Sequence, residues 1–379
     1  MDPTSTAIGT WSGGRFMRFG EPLDDERLLS LLRPGEGIDT AITADAYGAG
    51  EADAMLGRAL AGVPREDYCL VGAIGHDFYA GEREGAKGYP RFTDPGLRAE
   101  EGYADYIRMA TERSLERCGV ERFDLLMLHN PDRTGYTSPA VWEGMAAVRE
   151  AGLTQMLGLA PGPANGFTLD VIDCLERFGA LIDWAMIILN PLEPWPGELV
   201  LDAARSNDVK LIARVVDYGG LFHDDVLPGH AFAEHDHRMF RPAGWIEAGR
   251  ERLGQMRPIA DAHDMSMLQL ACAWDLAQSA VSCVAPTLIQ EPGPRARAIE
   301  DKRTELAAVP DLIARSPLSA EEVRRIREIG ENTGCMALKG ASPAHEGSAR
   351  PDRWGLDGEL EALAGRWGID PARDLVQSA

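Results

Sequence analysis

Two side chains suited to proton transfer stand just past the ends of two apolar segments. Tyr47 follows Ile38–Ile42 in the run GIDTAITADAYGAGEADAMLGRAL, and His129 closes the run FDLLMLH. A phenol can donate a proton, and an imidazole of near-neutral pKa can donate or accept one. His76 and Asp77 open the segment GHDFY behind a third apolar run, and Asp45 stands two residues before Tyr47. The expected catalytic set is therefore Tyr47, His129, His76 and Asp45. Substrate contacts are expected from Asp77, from Arg214 and Asp217 in ARVVDYGG, and from Glu193 and Trp195 in NPLEPWPG. An arginine inside a strand is costly unless it is paired or faces a cavity. Arg214 either holds a substrate carboxylate or phosphate or forms a buried pair with Asp217. His235 and His237, in EHDHR, are two residues apart with no third ligand nearby, so a metal is not expected. Trp184, Trp195, Phe78, Tyr79 and Tyr218 could line a pocket for a flat or sugar-like ligand, although such rings are more often core. The glycine-rich stretch from Gly158 to Gly166 lacks a G-x-G-x-x-G context. It offers backbone N–H groups ahead of a helix near Leu169, a seat for an anion.

These groups need a scaffold that brings strand ends together. Apolar runs near Ala7–Thr10, Ile38–Ile42, Tyr68–Ile74, Phe123–His129, Met156–Ala160, Trp184–Asn190, Val209–Val216 and Val281–Pro286 read as buried parallel strands. Between them, helical patterns cover Asp25–Leu32, Ala52–Ala61, Glu101–Cys118, Ala140–Ala151, Leu169–Phe178, Gly197–Arg205, Trp245–His263 and Met265–Gln278. Eight strand–helix units favour closure into a (β/α)8 TIM barrel, an α/β fold whose chemistry lies at the C-terminal ends of the strands. The long connections His76–Pro95, Asp217–Pro242 and Thr287–Pro310 leave such ends and should cover the mouth. The barrel is expected over residues 1–334, with a C-terminal extension over 335–379 packed on it. Leu360–Trp367 reads as one more helix there.

Composition narrows the partners. The chain has 379 residues, 45% of them hydrophobic, and a net charge of −22. Such acidity argues against nucleic acid and anionic membranes. No apolar run reaches membrane-spanning length, and the first residues lack the basic-then-apolar order of a secretory signal. Six scattered cysteines with no C-x-x-C point to a reducing cytoplasm. A small-molecule substrate is the expected partner; the oligomeric state stays open.

From about Ala7 to Ile329 the chain resembles the aldo-keto reductase superfamily. The resemblance rests on TAIGTW, TADAYGAGEADAMLGRAL, FDLLMLHNPD, GLAPGPANGF, GGLF, DHR and LQLACAWDLA, in that order. It implies a carbonyl reductase using NADPH, with a quartet of Asp, Tyr, Lys and His. Tyr47 takes the Tyr place and His129 the His place. Ile42 stands where the family has Asp, and Ala73 where it has the Lys that lowers the Tyr pKa. Lys87 or Arg214 could supply the missing cation. Ala160-Pro161 replace the Ser-Asn that holds the nicotinamide carboxamide, and Met186 replaces a Gln. Arg297 and Glu300, in RAIEDK, echo the cluster that grips the adenosine phosphate. The resemblance points to an NADP(H)-linked oxidoreductase acting on a small carbonyl or sugar. The altered site leaves open a non-redox lyase, dehydratase or isomerase moving protons through Tyr47, His129 and His76, and a ligand-binding barrel without catalysis.

Overall fold

The computed structural model describes residues 1–83, 88–162, 167–241, 243–332 and 356–374. Eight parallel strands follow one another in chain order: β1 (Ala7–Gly9), β2 (Thr40–Ile42), β3 (Cys69–Ile74), β4 (Phe123–His129), β5 (Thr154–Ala160), β6 (Trp184–Ile188), β7 (Lys210–Arg214) and β8 (Val281–Ala285). A bridge from Thr6 to Val284 brings the last strand back to the first. The outcome is the (β/α)8 TIM barrel.

The two-residue period of a strand divides the apolar residues into two cores. Ile42, Val71, Ala73, Leu125, Met127, Met186, Ile212, Cys283 and Ala285 fill the barrel. Their neighbours Leu70, Leu126, Leu128, Leu159, Leu211 and Ala213 face the helical layer. Every strand is thus wrapped on both faces, which accounts for runs that are apolar without a break.

The helices are α1 (Asp25–Leu32), α2 (Glu51–Leu60), α3 (Tyr103–Cys118), α4 (Arg133–Thr137), α5 (Pro139–Glu150), α6 (Thr168–Phe178), α7 (Leu201–Ser206), α8 (Trp245–Ala262), α9 (Met267–Leu276), α10 (Ile299–Ala307), α11 (Val309–Arg315), α12 (Ala320–Ile329), α13 (Gly358–Arg366) and α14 (Pro371–Asp374). Among the described residues, none is long and apolar enough to cross a membrane. The span Thr287–Pro310, expected as a connection, contains α10. Its buried stripe is Ile299, Lys302 and Leu306, and the lysine disguises the apolar period. α12 was absent from the expected helices too, although Ser319 and Glu322 form a capping box at its start. α13 packs on α6, where Arg366 and the Trp367 indole N–H both reach Glu176.

One buried ion pair ties α10 to the loops after β7 and β8. Lys302 Nζ, fully buried, donates to Asp225 Oδ2 at 2.6 Å and to the Ile289 carbonyl at 2.6 Å. Asp225→Ala strands an ammonium in the interior and should lower the unfolding free energy by about 3–5 kcal/mol. Adding Lys302→Met to that variant should restore part of the loss. Urea unfolding of both variants checks this; a double variant as weak as the sum of the singles would show that packing, and not charge, sets the cost.

Candidate active site

Tyr47 opens a single 3-10 turn, Tyr47–Gly50, between β2 and α2. Gly48, Ala49 and Gly50 all adopt positive φ (60°, 52° and 96°), which forces the chain to double back toward α2. The Tyr47 ring packs against the inner barrel core. His129, 7% exposed, ends β4 and lies edge-on to Tyr47, with ring centroids 5.6 Å apart and planes at 89°. His76 is edge-on to His129 on the other side, at 5.3 Å. The three rings therefore share the C-terminal mouth.

Gly75 makes this approach possible. A Cβ there would lie 2.3 Å from the His129 carbonyl oxygen. His76 is then pinned by both nitrogens: Nδ1 donates to the Tyr89 carbonyl at 2.9 Å, leaving Nε2 to accept from the Asn130 amide at 3.1 Å. Tyr106 Oη donates to the His76 carbonyl at 2.9 Å. His76 is thus engaged as an anchor of the third loop. Asn130, at φ 47°, turns its carbonyl toward Arg91 Nε.

His129 differs. Its Nδ1 is buried and has no hydrogen-bond partner among the described residues. Burial, followed by the positive fields of His76, Arg91 and Arg214, pushes its pKa well below the ordinary value. The imidazole is neutral at physiological pH. Burial also raises the Tyr47 pKa, and the opposing field of Arg214 does not overcome it. Arg214 is thus the cation that bears on Tyr47. Lys87, the other candidate, lies outside the described residues.

Arg214 ends β7, in register with Ile188 of β6 and Ala285 of β8. Its Nη2 donates to the carbonyls of Pro161 and Gly162 at 3.0 and 3.1 Å. The expected alternative, a pair with Asp217, does not form. Asp217 accepts from the Gly220 and Thr287 N–H groups at 2.9 and 2.8 Å and joins the loops after β7 and β8. Glu193 is buried after β6 and accepts from Asn190 Nδ2 at 3.4 Å. Trp195 is 1% exposed, its backbone held on both sides by the Asn332 amide.

Other expected contacts are occupied elsewhere. Asp77 pairs with Arg98 at 2.6 Å and accepts from the Tyr79 and Ala80 N–H groups, which shapes its own loop. Asp45 is fully buried, and among the described residues its oxygens have no partner beyond the adjacent Ala46 N–H. Its charged neighbours are Asp53, Arg117 and Asp77, so it sits by the α2–α3 layer while Ala44 joins the inner core. Asp53 itself is satisfied by Thr43, Ser114 and Arg117. Arg297 pairs with Glu305 and donates to the His223 carbonyl, and Glu300 accepts from Arg27. Trp184 sits in the inner core, with Lys210 Nζ 5.3 Å from its ring centroid. Phe78 and Tyr79 stack on each other at 4.1 Å, and Tyr218 lies edge-on to Trp245 at 6.1 Å. His235 is exposed beside Glu234 and His237 lies against Phe19, so the two histidines point to different neighbours. The anion seat from Gly158 to Gly166 falls partly on residues 163–166, outside the described residues.

Three mouth residues escaped the sequence reading. Trp11 lies over Gly9, where a Cβ would come within 2.3 Å of the indole. Arg91 comes from a long loop. Tyr136, on α4, is fully buried with its hydroxyl unpartnered among the described residues, within the fields of Arg91 and Arg214. Only Trp11 carried a signal, through TAIGTW.

Asp45 offers a stability test. Burial, and next the Asp53 charge, raise its folded pKa well above the model-peptide range. A raised folded pKa stabilises only below the unfolded value of about 3.9, and the benefit is lost as pH rises. Asp45→Asn should therefore raise the unfolding free energy at pH 7–8 by on the order of 1 kcal/mol or more, one pKa unit being worth about 1.4 kcal/mol. The gain should vanish below about pH 4. Thermal melts across pH check this; a variant less stable at pH 8 than at pH 4, relative to wild type, contradicts it.

The sequence pattern of the Aldo/keto reductase family matches residues 7–331. A probable voltage-gated potassium channel subunit beta from Arabidopsis thaliana is 23% identical over 297 residues, 73% of this chain and 82% of that protein. A D-threo-aldose 1-dehydrogenase from Pseudomonas sp is 26% identical over 210 residues, 52% of this chain and 62% of that protein. Among solved structures, the glycerol dehydrogenase of Gluconobacter oxydans superposes with a TM-score of 0.65 at 22% identity, covering 86% of this chain and 90% of that one. An aldo-keto reductase from Klebsiella pneumoniae, solved in complex with NADPH, gives a TM-score of 0.55 at 18% identity, covering 86% of this chain and 90% of that one. The barrel and the matched span together establish that the chain belongs to the Aldo/keto reductase family.

Proposed function

We propose that this chain is an NADP(H)-linked reductase of a small carbonyl or sugar substrate, with Tyr47 and His129 as its catalytic pair. The observation that carries the reading is the edge-to-face contact of these rings at the mouth. The names of the Pseudomonas and Gluconobacter relatives, an aldose and a glycerol dehydrogenase, agree with a small polyhydroxylated substrate.

The residues fit the cofactor best at its phosphate end. A cavity of about 230 Å³ lies between the loops after β7 and β8, lined by His230 and Arg295 among others. Arg295 is exposed and has no ion-pair partner among the described residues, while Gly229 and Gly293 face open space. Arg295 would hold a phosphate there; His230 is paired with Glu291 at 2.9 Å, and Arg297 and Glu300 are paired with Glu305 and Arg27, so none of these three fills the role. Ala160 and Met186 bring no side-chain donor to the nicotinamide. When bound, NADPH supplies the hydride.

This chain's residues supply the rest. When a hydride adds to the carbonyl carbon, the C=O π pair moves to oxygen as an alkoxide, a stronger base than phenolate, so the Tyr47 phenol can protonate it. Neutral His129 presents one N–H and one lone pair and can orient that oxygen. Because burial keeps Tyr47 protonated, the site favours reduction. Oxidation of an alcohol would require tyrosinate as the base, and that form is scarce at neutral pH.

Three measurements test the proposal. NADPH should bind saturably, seen as a change in its fluorescence, with turnover of simple aldehydes. Tyr47→Phe should lower kcat by roughly 10²–10⁴-fold, the usual weight of general acid catalysis. The reduction rate should stay level to about pH 10, where an ordinary phenol ionises. An alkaline decline near pH 7–8 would show a depressed phenol pKa and contradict the burial argument. No binding at millimolar NADPH would remove the reductase reading and favour proton-transfer chemistry without hydride.

A further inference from the structure

Two guanidinium groups, Arg214 and Arg91, stand near His129 at the mouth of this acidic protein. Arg214 is half-buried between apolar strand neighbours, Ile188 and Ala285, and its Nη2 is held by two neutral carbonyls. No carboxylate of the described residues lies within ion-pair distance of it. Four other buried or half-buried cations have one: Arg238 has Asp236 and Glu291, Lys302 has Asp225, Arg117 has Asp53 and Arg98 has Asp77; Arg241, which has none among the described residues, lies instead against the rings of Tyr218 and Trp245. Glu193 acts on Arg214 only through its field. Even a half-buried guanidinium without a partner anion carries a desolvation cost on folding. Two further polar atoms near it are left without partners among the described residues: His129 Nδ1 and Tyr136 Oη, both buried. Arg91 adds a second guanidinium whose field reaches His129 and Tyr136.

We infer that Arg214 binds an anionic group, a carboxylate or a phosphate, carried by the carbonyl substrate, with the Tyr136 hydroxyl as a second donor. This rests on the reductase reading for the carbonyl and deepens it by naming the substrate class. Arg214 Nε and Nη1 remain for the anion, because Nη2 is committed to Pro161 and Gly162. The anion neutralises the guanidinium at one side of the mouth, and the carbonyl reaches Tyr47 and His129 at the other. A neutral aldehyde leaves the charge uncompensated and gains nothing from it.

The test begins with binding, independent of turnover. Succinate and inorganic phosphate are titrated separately into the full chain by calorimetry at constant ionic strength. At least one should bind in the wild type, and the stronger of the two identifies carboxylate or phosphate. Arg214→Met should weaken that binding about 10–100-fold, the usual range for a lost charge-assisted hydrogen bond. Tyr136→Phe should weaken it several-fold. Turnover then compares succinic semialdehyde with butanal, and glyceraldehyde 3-phosphate with glyceraldehyde. The anionic member of the matching pair should have a KM about 10–100-fold lower, with the gap closed by Arg214→Met. Failure of both anions to bind, or binding unchanged by the Arg214→Met and Tyr136→Phe variants, overturns the inference. Should Arg214→Met not fold by circular dichroism, wild-type binding and the Tyr136→Phe variant decide. Equal turnover of neutral and anionic aldehydes sinks the inference and leaves the reductase standing. Anion binding through Arg214 without NADPH-dependent turnover does the reverse.

Discussion

Desolvation at the C-terminal end of the barrel governs everything else in this molecule. The upper interior is closed by Ala73, Ala160, Ala285 and Met186, none of which can solvate a charge. Any ionisable group placed there is driven toward its neutral form unless a partner holds it. The same physics acts on three residues with different results. Tyr47 stays a phenol, His129 stays an uncharged imidazole, and Arg214, too basic to give up its proton, keeps a charge that must be balanced from outside. The acid, the orienting group and the anion-binding centre of the proposed reductase would thus share one apolar environment.

The charges set further out behave differently because they come in pairs. Asp53 with Arg117, Asp77 with Arg98, and Arg238 with Asp236 and Glu291 brace the loops. In each case the ions are matched during folding, so the loop geometry is fixed before any ligand arrives.

Much of the barrel was legible in the sequence because parallel strands covered on both faces have a strong signature. The limits of β4 (Phe123–His129) and of α1 (Asp25–Leu32) match the pattern residue for residue. Where a helix buries a lysine, as α10 does with Lys302, the apolar period is broken and the element was read as loop. At the site, Tyr47 and His129 could be found because strand ends are predictable from local pattern, and Arg214 because an arginine in an apolar strand stands out. Asp77 and Asp217 were read as ligands because sequence cannot tell a carboxylate that faces a cavity from one that accepts backbone N–H groups. Arg91 and Tyr136 come from a long loop and a five-residue helix, whose paths depend on tertiary contacts that no local pattern encodes.

Gly75 gives this arrangement its rigidity. The ends of β3 and β4 approach so closely there that a methyl group would strike the His129 carbonyl oxygen. The spacing of the His76 and His129 backbones is consequently set by main chain against main chain, and the His76 ring is then held by Tyr89 and Asn130. For a laboratory reshaping this pocket by mutagenesis, position 75 is a fixed post: randomising it would fill a library with displaced strands.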